Sequence, residues 1–177
     1  IVWKAAKAFF DATGLAAEIA VDIEKHVPLM GGMGGSSVDG AGTRVALNEL
    51  FGKKLDSEAL CAVGDKIGAD VPLCIKGGTL YSITSGDMIA AECDTNCVFV
   101  CIYPDFTLST AEAYAKYDEN PTEINPHYAD FVSSIVCGSL SEGAGFISNV
   151  FTEIYHDSRI EEMKNDLLES GAVISEM

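Results

Sequence analysis

The stretch KHVPLMGGMGGSSVDGAG, residues 25–42, joins a run of glycines to a pair of serines. It lies between an alternating apolar and polar segment, typical of a strand, and a pattern with helical spacing. Glycines let the backbone approach a phosphate group, and the free N–H groups at a helix start attract an anion. The stretch therefore predicts an anion-binding loop. The alternative is a flexible connection with an ordinary serine cap.

This loop matches neither of the two commonest nucleotide-binding fingerprints. No lysine stands directly before the serine pair, as the GxxxxGK[ST] motif requires, and Ser37 stands where GxGxxG requires a glycine. The glycine loop of protein kinases finds no match either. These residues alone therefore predict that the loop binds phosphate, but they do not indicate which class of nucleotide-binding protein it resembles.

Two further stretches carry residues that could meet a ligand. GADVP sets Asp70 between a helix end and a segment that Pro72 holds extended, so Asp70 is either a loop cap or a base that faces a site. YPDFTLSTAEAY sets Thr110 at a helix start, directly after a predicted central strand. There Thr110 is either a ligand contact or a simple cap.

In this order, the stretches resemble the GHMP kinase superfamily, named for galactose, homoserine, mevalonate and phosphomevalonate kinases. Residues 25–42 resemble its ATP loop, IGADVPLCIKGGT its aspartate segment and YPDFTLSTAEAY its [ST]-T segment. GAVISEM is similar to the run that leads into a third glycine loop. The closer resemblance is to the branch that phosphorylates 4-diphosphocytidyl-2-C-methyl-D-erythritol, and it covers nearly the whole chain.

The resemblance implies an ATP- and Mg²⁺-dependent kinase that acts on the 2-hydroxyl of this compound (CDP-methylerythritol), in the non-mevalonate route to isoprenoid precursors. It makes Asp70 the catalytic aspartate, which contacts the substrate and takes its hydroxyl proton. Thr110 and Tyr114 would contact the substrate, although a core aromatic explains Tyr114 equally well. The ATP-binding residues it implies are Lys25, Gly31, Gly32, Gly34, Gly35, Ser36 and Ser37. The metal ligands stay unassigned.

The chain also departs from the family pattern. Ser36 stands where the family commonly has a glycine, and Val38 where it often has a serine or threonine. The family's N-terminal lysine and first β-region would precede Ile1, and its third glycine loop would follow Met177. We therefore expect both ends to be incomplete. The alternatives are another GHMP kinase, of the homoserine or mevalonate type, and a nucleotide-binding domain without catalysis.

The composition of the chain limits the classes of partner that it can bind. The 177 residues carry a formal net charge of -16, which opposes binding to nucleic acids and anionic membranes but permits one small polyphosphate ligand. No apolar run is long enough to span a bilayer. We expect small-molecule partners only, and a monomer or homodimer. The six cysteines include no CxxC pair and favour core thiols in a reducing bacterial cytoplasm over metal ligands: Cys61, Cys74, Cys93, Cys97, Cys101 and Cys137.

The order of elements predicts an α+β fold with two lobes, residues 1–105 and 106–177. The resemblance implies the GHMP fold, whose first lobe is like domain 2 of ribosomal protein S5 and whose second is a ferredoxin-like sandwich. One predicted helix carries Val45, Ala46, Leu50 and Phe51 on its buried face and is capped by Ser36, Ser37 or Asp39. Further helices are predicted over 1–13, 56–67, 109–117 and from about 126 onward. The predicted cap is Asp56 or Ser57 for the helix over 56–67, and Ser109 or Thr110 for the helix over 109–117. Strands are predicted over 18–27, within 69–92, over 97–105 and over 171–177.

Overall fold

A computed structural model of the chain describes residues 1–28, 31–82, 89–90, 97–121, 127–137 and 140–177. The chain divides into two units, Ile1–Ala90 and Ala91–Met177. Helices dominate the described residues and one short pair of strands accompanies them, which is compatible with an α+β fold. The lobe boundary near residue 105 stays a prediction.

Four helices and one strand pair form the described part of the first unit. The helix α1 ends at Gly14, whose φ of 68° suits glycine and whose N–H donates to the Phe10 carbonyl. The helices α1 and α4 both pack against α2, and α3 packs against α4. Leu80 pairs with Ala90 in the antiparallel ladder. The bounds are α1 Val2–Thr13, α2 Gly35–Leu50, α3 Ser57–Asp65, α4 Val71–Lys76, β1 Leu80–Tyr81 and β2 Ile89–Ala90.

The core of this unit lies between α1 and α2, and it corrects the predicted face of α2. Phe9 is fully buried, and its ring lies 6.1 Å from that of Phe51. The predicted core residues Val45 and Leu50 are 40% and 72% exposed, so that part of the prediction is wrong. The prediction failed because three polar residues, Thr43, Arg44 and Asn48, face inward on α2. The residues buried along α2 are Gly40, Ala41, Thr43, Arg44, Leu47 and Asn48.

Several predicted strands are absent. Residues 18–27, 97–105 and 171–177 form no strand in the described structure, because an extended segment needs an adjacent strand to satisfy its backbone and these segments pair with none there. Within 69–92, Val71–Lys76 is helical instead. Pro72 suits this helix start, where its missing N–H costs nothing.

The second unit is helical in its described residues. Ser109 caps its first helix by accepting a hydrogen bond from Glu112 N–H, as predicted. Its last residues dock on two helices, since Glu176 accepts hydrogen bonds from Thr152 on one and from Lys164 on the other. The helices are α5 Thr110–Glu119, α6 Tyr128–Val136, α7 Leu140–Gly143, α8 Val150–Tyr155 and α9 Ser158–Glu169, with a 3-10 turn at Ala144–Phe146.

The cysteines contradict the prediction of core thiols. Cys61, Cys74 and Cys97 are half-buried, and Cys101 and Cys137 are exposed; all five are free. Cys93 lies outside the described residues. The prediction failed because residues 98–100, which were to form a central strand, are 92%, 84% and 69% exposed.

Among the residues described, no three or more His, Cys, Asp or Glu side chains group as metal ligands. Within the same residues, no helix is both long and apolar enough to cross a membrane.

Candidate functional site

The glycine loop leads directly into α2, as predicted. Gly32 and Gly34 have φ values of 70° and 64°, in the left-handed region where glycine alone is free of strain. Gly34 stands at the N-cap position, and no side chain caps the helix. The predicted caps Ser36, Ser37 and Asp39 are therefore wrong, because α2 begins before all three.

The start of α2 is open to a ligand. The first N–H groups of a helix have no acceptor within it, and here no side chain supplies one. Ser36 is exposed and Ser37 half-buried, and neither hydroxyl makes a hydrogen bond within the described structure. Since α2 runs for 16 residues, its dipole adds partial positive charge at this end. This end of α2 can bind an anion.

Lys25 reaches the start of α2 from the other side of the loop. Its Nζ lies 2.7 Å from Oδ2 of Asp39, and the two side chains are half-buried, at 29% and 22% exposed. A Cβ built on Gly35 would lie 3.3 Å from the same Nζ and 3.2 Å from Cγ1 of Val27. Gly35 therefore leaves the space that the lysine fills. Sequence reasoning missed this pair, because Asp39 was considered only as a cap.

Asp70 stands at the N-cap position of α4 and is exposed. Its side chain caps no N–H and forms no hydrogen bond or ion pair with the residues described, which argues against the loop-cap alternative. One turn later, burial raises the pKa of the Cys74 thiol, and the Asp70 carboxylate raises it further. Asp70 thus presents a free carboxylate to solvent.

Val71 fixes Asp70 beside α2. Its side chain is fully buried between α2 and α3. A Cβ on Gly40 of α2 would lie 3.6 Å from Cγ2 of Val71, and one on Gly64 of α3 would lie 3.1 Å from its Cγ1. The two glycines therefore let α4 begin against the N-terminal third of α2. Asp70 therefore directly precedes a residue that packs against Gly40, in the second turn of α2.

Arg44 is a buried charge that sequence reasoning did not find. It is 0% exposed, and Nε, Nη1 and Nη2 have no hydrogen-bond acceptor in the described structure. Nη1 lies 3.3 Å from the position of a Cβ on Gly64. Burial lowers the pKa of its guanidinium, and the Cys61 sulfur opposes this shift. The one sequence signal for this buried charge is the position of an arginine on the inner face of the predicted helix.

The predicted substrate residues lie in the second unit. Thr110 is the first residue of α5 and is exposed. Tyr114 is 57% exposed, and its ring packs edge-on against Phe151 at 5.1 Å. Tyr114 is therefore not a core aromatic, although Phe151 holds its ring. The substrate roles of both residues stay predictions.

Comparison with known proteins identifies a family for the first unit. Residues 1–78 match the model described as GHMP kinases N terminal domain. That range includes the glycine loop, Lys25, Asp39 and Asp70.

Curated relatives extend the similarity along the whole chain. The chain is 32% identical over 180 residues to a 4-diphosphocytidyl-2-C-methyl-D-erythritol kinase of Clostridium novyi, covering 100% of this chain and 64% of the relative. It is 35% identical over 178 residues to the protein of that name from Lachnoclostridium phytofermentans, covering 98% and 60%. A third, from Caldanaerobacter subterraneus, is 30% identical over 179 residues, covering 100% and 62%.

The chain thus spans 60% to 64% of the length of these relatives. The resemblance of the sequence to GHMP kinases is confirmed. Residues 1–78 are similar to the GHMP kinase N-terminal domain family.

Proposed function

We propose that the protein is an ATP-dependent kinase that phosphorylates the 2-hydroxyl of 4-diphosphocytidyl-2-C-methyl-D-erythritol. One observation carries the proposal: Val71 packs against the helix whose open start follows the glycine loop, and the adjacent Asp70 has a free carboxylate. The names of the relatives support the substrate.

The start of α2 would bind the phosphates of ATP. The glycine run and the uncapped N–H groups supply hydrogen bonds without a bulky side chain, as phosphate binding at a helix start requires. The free hydroxyls of Ser36 and Ser37 add two further donors, and Lys25 adds a charge beside Gly35. The residues that would contact ATP are Lys25, Gly31, Gly32, Gly34, Gly35, Ser36 and Ser37.

Mg²⁺ fits this site only as an ion held mainly by phosphate. The described residues offer no cluster of three metal ligands, and Asp39 is paired with Lys25. Mg²⁺ commonly binds substrate phosphates with few protein ligands, so the hydroxyl of Ser36 or Ser37 would suffice. When bound, the ion would offset the negative charge of the phosphates.

Asp70 would act on the acceptor. Phosphoryl transfer depends on positioning and electrostatic stabilisation, and a carboxylate can orient the attacking hydroxyl and accept its proton. The carboxylate has no competing partner in the described structure. Thr110 and Tyr114 would contact the substrate in a second lobe, completing the two-lobed GHMP fold.

Two alternatives follow from the same residues. Another GHMP kinase, of the homoserine or mevalonate type, would share the glycine loop but not the substrate. A nucleotide-binding domain without catalysis would keep ATP binding and have no use for a free carboxylate at Asp70.

The test is a coupled assay of ADP release by the protein expressed from its complete gene. We expect release to depend on 4-diphosphocytidyl-2-C-methyl-D-erythritol and not on homoserine or mevalonate. Asp70→Asn should lower kcat by about 10²–10⁴-fold, because it removes the proton acceptor. The matched control is Asp65→Asn, an exposed aspartate on the neighbouring helix, which should leave kcat unchanged.

Direct ATP binding separates the outcomes. Asp70→Asn should keep the affinity for ATP, measured by calorimetry, because the carboxylate faces the acceptor. ATP binding without substrate-dependent ADP release in the wild type would favour the non-catalytic domain. An active Asp70→Asn variant would contradict the role of Asp70.

A further inference from the structure

The Lys25–Asp39 pair joins the two sides of the glycine loop. Lys25 precedes the loop, and Asp39 follows it in the second turn of α2. Their Nζ–Oδ2 distance of 2.7 Å is that of a charge-assisted hydrogen bond. The two side chains are 29% and 22% exposed, so the pair is partly shielded and solvent screens it less than a fully exposed pair.

The position of the lysine is unfavourable without its partner. The Nζ lies near Gly35, at the positive end of the α2 dipole, where a cation is repelled. The carboxylate of Asp39 offsets that repulsion, since a negative charge is favoured near a helix start. The exposed ion pairs in the described structure lack this setting; Lys53–Glu49, for example, is 71% and 59% exposed.

We propose that Asp39 is a positioning residue, which holds the Lys25 ammonium at the start of α2 so that it meets the phosphates of a bound nucleotide. The inference rests on the proposed function, because it takes ATP as the ligand of the loop. Asp39 itself need not touch ATP. Without its carboxylate, the lysine is free to turn into solvent, and binding must then order it again.

The opposite effect is also physically reasonable, which makes the test decisive. A carboxylate near a phosphate site repels the phosphates, so its removal could strengthen binding instead. The sign of the change in ATP affinity therefore distinguishes a positioning carboxylate from one that merely lies nearby.

The experiment measures the Asp39→Asn variant of the protein expressed from its complete gene. We expect KM for ATP, and Kd for ATP by calorimetry, to rise about tenfold, the usual effect of losing one hydrogen bond to a charged group. The kcat at saturating ATP and KM for the acceptor should change less than about twofold, since uniform binding alone is lost. Asp39→Glu, which keeps a carboxylate, should recover part of the affinity.

A double-mutant cycle tests the coupling. Lys25→Met should weaken ATP binding at least as much as Asp39→Asn, and the double variant should bind no worse than Lys25→Met alone. Glu49→Gln on the same helix breaks the exposed pair with Lys53 and should leave Kd unchanged. Tighter or unchanged ATP binding by Asp39→Asn would overturn the proposal, as would additive effects in the cycle.

Calorimetry keeps this test separate from that of the proposed reaction. If the wild type binds ATP but phosphorylates no acceptor, the proposed function fails while the Kd values still decide on Asp39. If Asp39→Asn unfolds, as judged by its melting curve, Asp39→Glu and Lys25→Met supply the comparison.

Discussion

At the scale of the residue, the buried polar side chains of the first unit differ in whether they find a hydrogen-bond partner. The side chain of Asn48 forms two hydrogen bonds with the backbone of Leu55. It accepts one from the Leu55 N–H at 2.9 Å and donates one to the Leu55 carbonyl at 2.8 Å. Arg44 has no such partner among the described residues. A buried group that is hydrogen-bonded costs little, whereas a buried charge without a partner is strongly unfavourable. Arg44 is therefore a destabilising residue in the structure described.

Replacing Arg44 with methionine should stabilise the protein. The variant removes a desolvated group without a partner and keeps a long side chain against Gly64, so the free energy of unfolding should rise by about 1–3 kcal/mol. Urea unfolding followed by circular dichroism measures the change. Lys66→Met, at an exposed lysine, should stay within about 0.5 kcal/mol of wild type. A loss of stability in Arg44→Met would mean that the guanidinium has a partner in the whole protein.

At the scale of the element, side chains at helix starts are informative in both units. Asp56 caps α3 and Ser109 caps α5, as predicted, each by accepting a backbone N–H. At α2 the same reasoning failed, because the glycines extend the helix toward the loop and leave its start uncapped. The start of α2 is the proposed phosphate site, although α1, α4 and α6 also begin without a side-chain cap.

The start of α9 gives a prediction on pH. Asp157 caps it, and the Arg159 guanidinium and N–H together lower the pKa of this carboxyl to about 2. Because the folded pKa lies below the ordinary value of about 3.9, the carboxylate stabilises α9 above about pH 4. That contribution is lost as the pH falls from about 4 to 2.

A carbon-detected NMR titration of the Asp157 carboxyl tests this expectation. Arg159→Met should raise its midpoint toward about 3.9, because the largest cause of the shift is removed. Asp157→Asn keeps an oxygen that can cap the helix, and the acid unfolding of α9 should then lose its dependence on pH between about 2 and 4. If the titration midpoint of Asp157 is the same in Arg159→Met as in the wild type, this account is contradicted.

At the scale of the whole molecule, stability in the first unit depends on a small aromatic core. Phe9 contacts Phe10 and Phe51 with ring centroids 5.7 and 6.1 Å apart, and Ala6 and Leu47 complete the buried cluster. The glycine loop and α4 both attach to α2, one wall of this core. Damage to the core should therefore reach the candidate site.

Phe9→Ala should lower the free energy of unfolding by about 3–5 kcal/mol, since it leaves a cavity between α1 and α2. Chemical denaturation measures this loss, and calorimetry should report weaker ATP binding by the same variant. Trp3→Ala is the matched control, because Trp3 lies on the same helix but is 72% exposed. A similar loss in both variants would contradict the assignment of Phe9 to the core.

The sequence alone was enough to identify the family, the glycine loop, most helices and two helix caps. These features depend on local composition and on motifs whose residues are close in the chain. The chain order could not reveal which polar residues face inward on α2, or which extended segments find a partner strand, because both depend on packing between distant residues. For the same reason, only the tertiary structure brings Lys25 to Asp39 and packs Val71, the residue after Asp70, against Gly40 of α2.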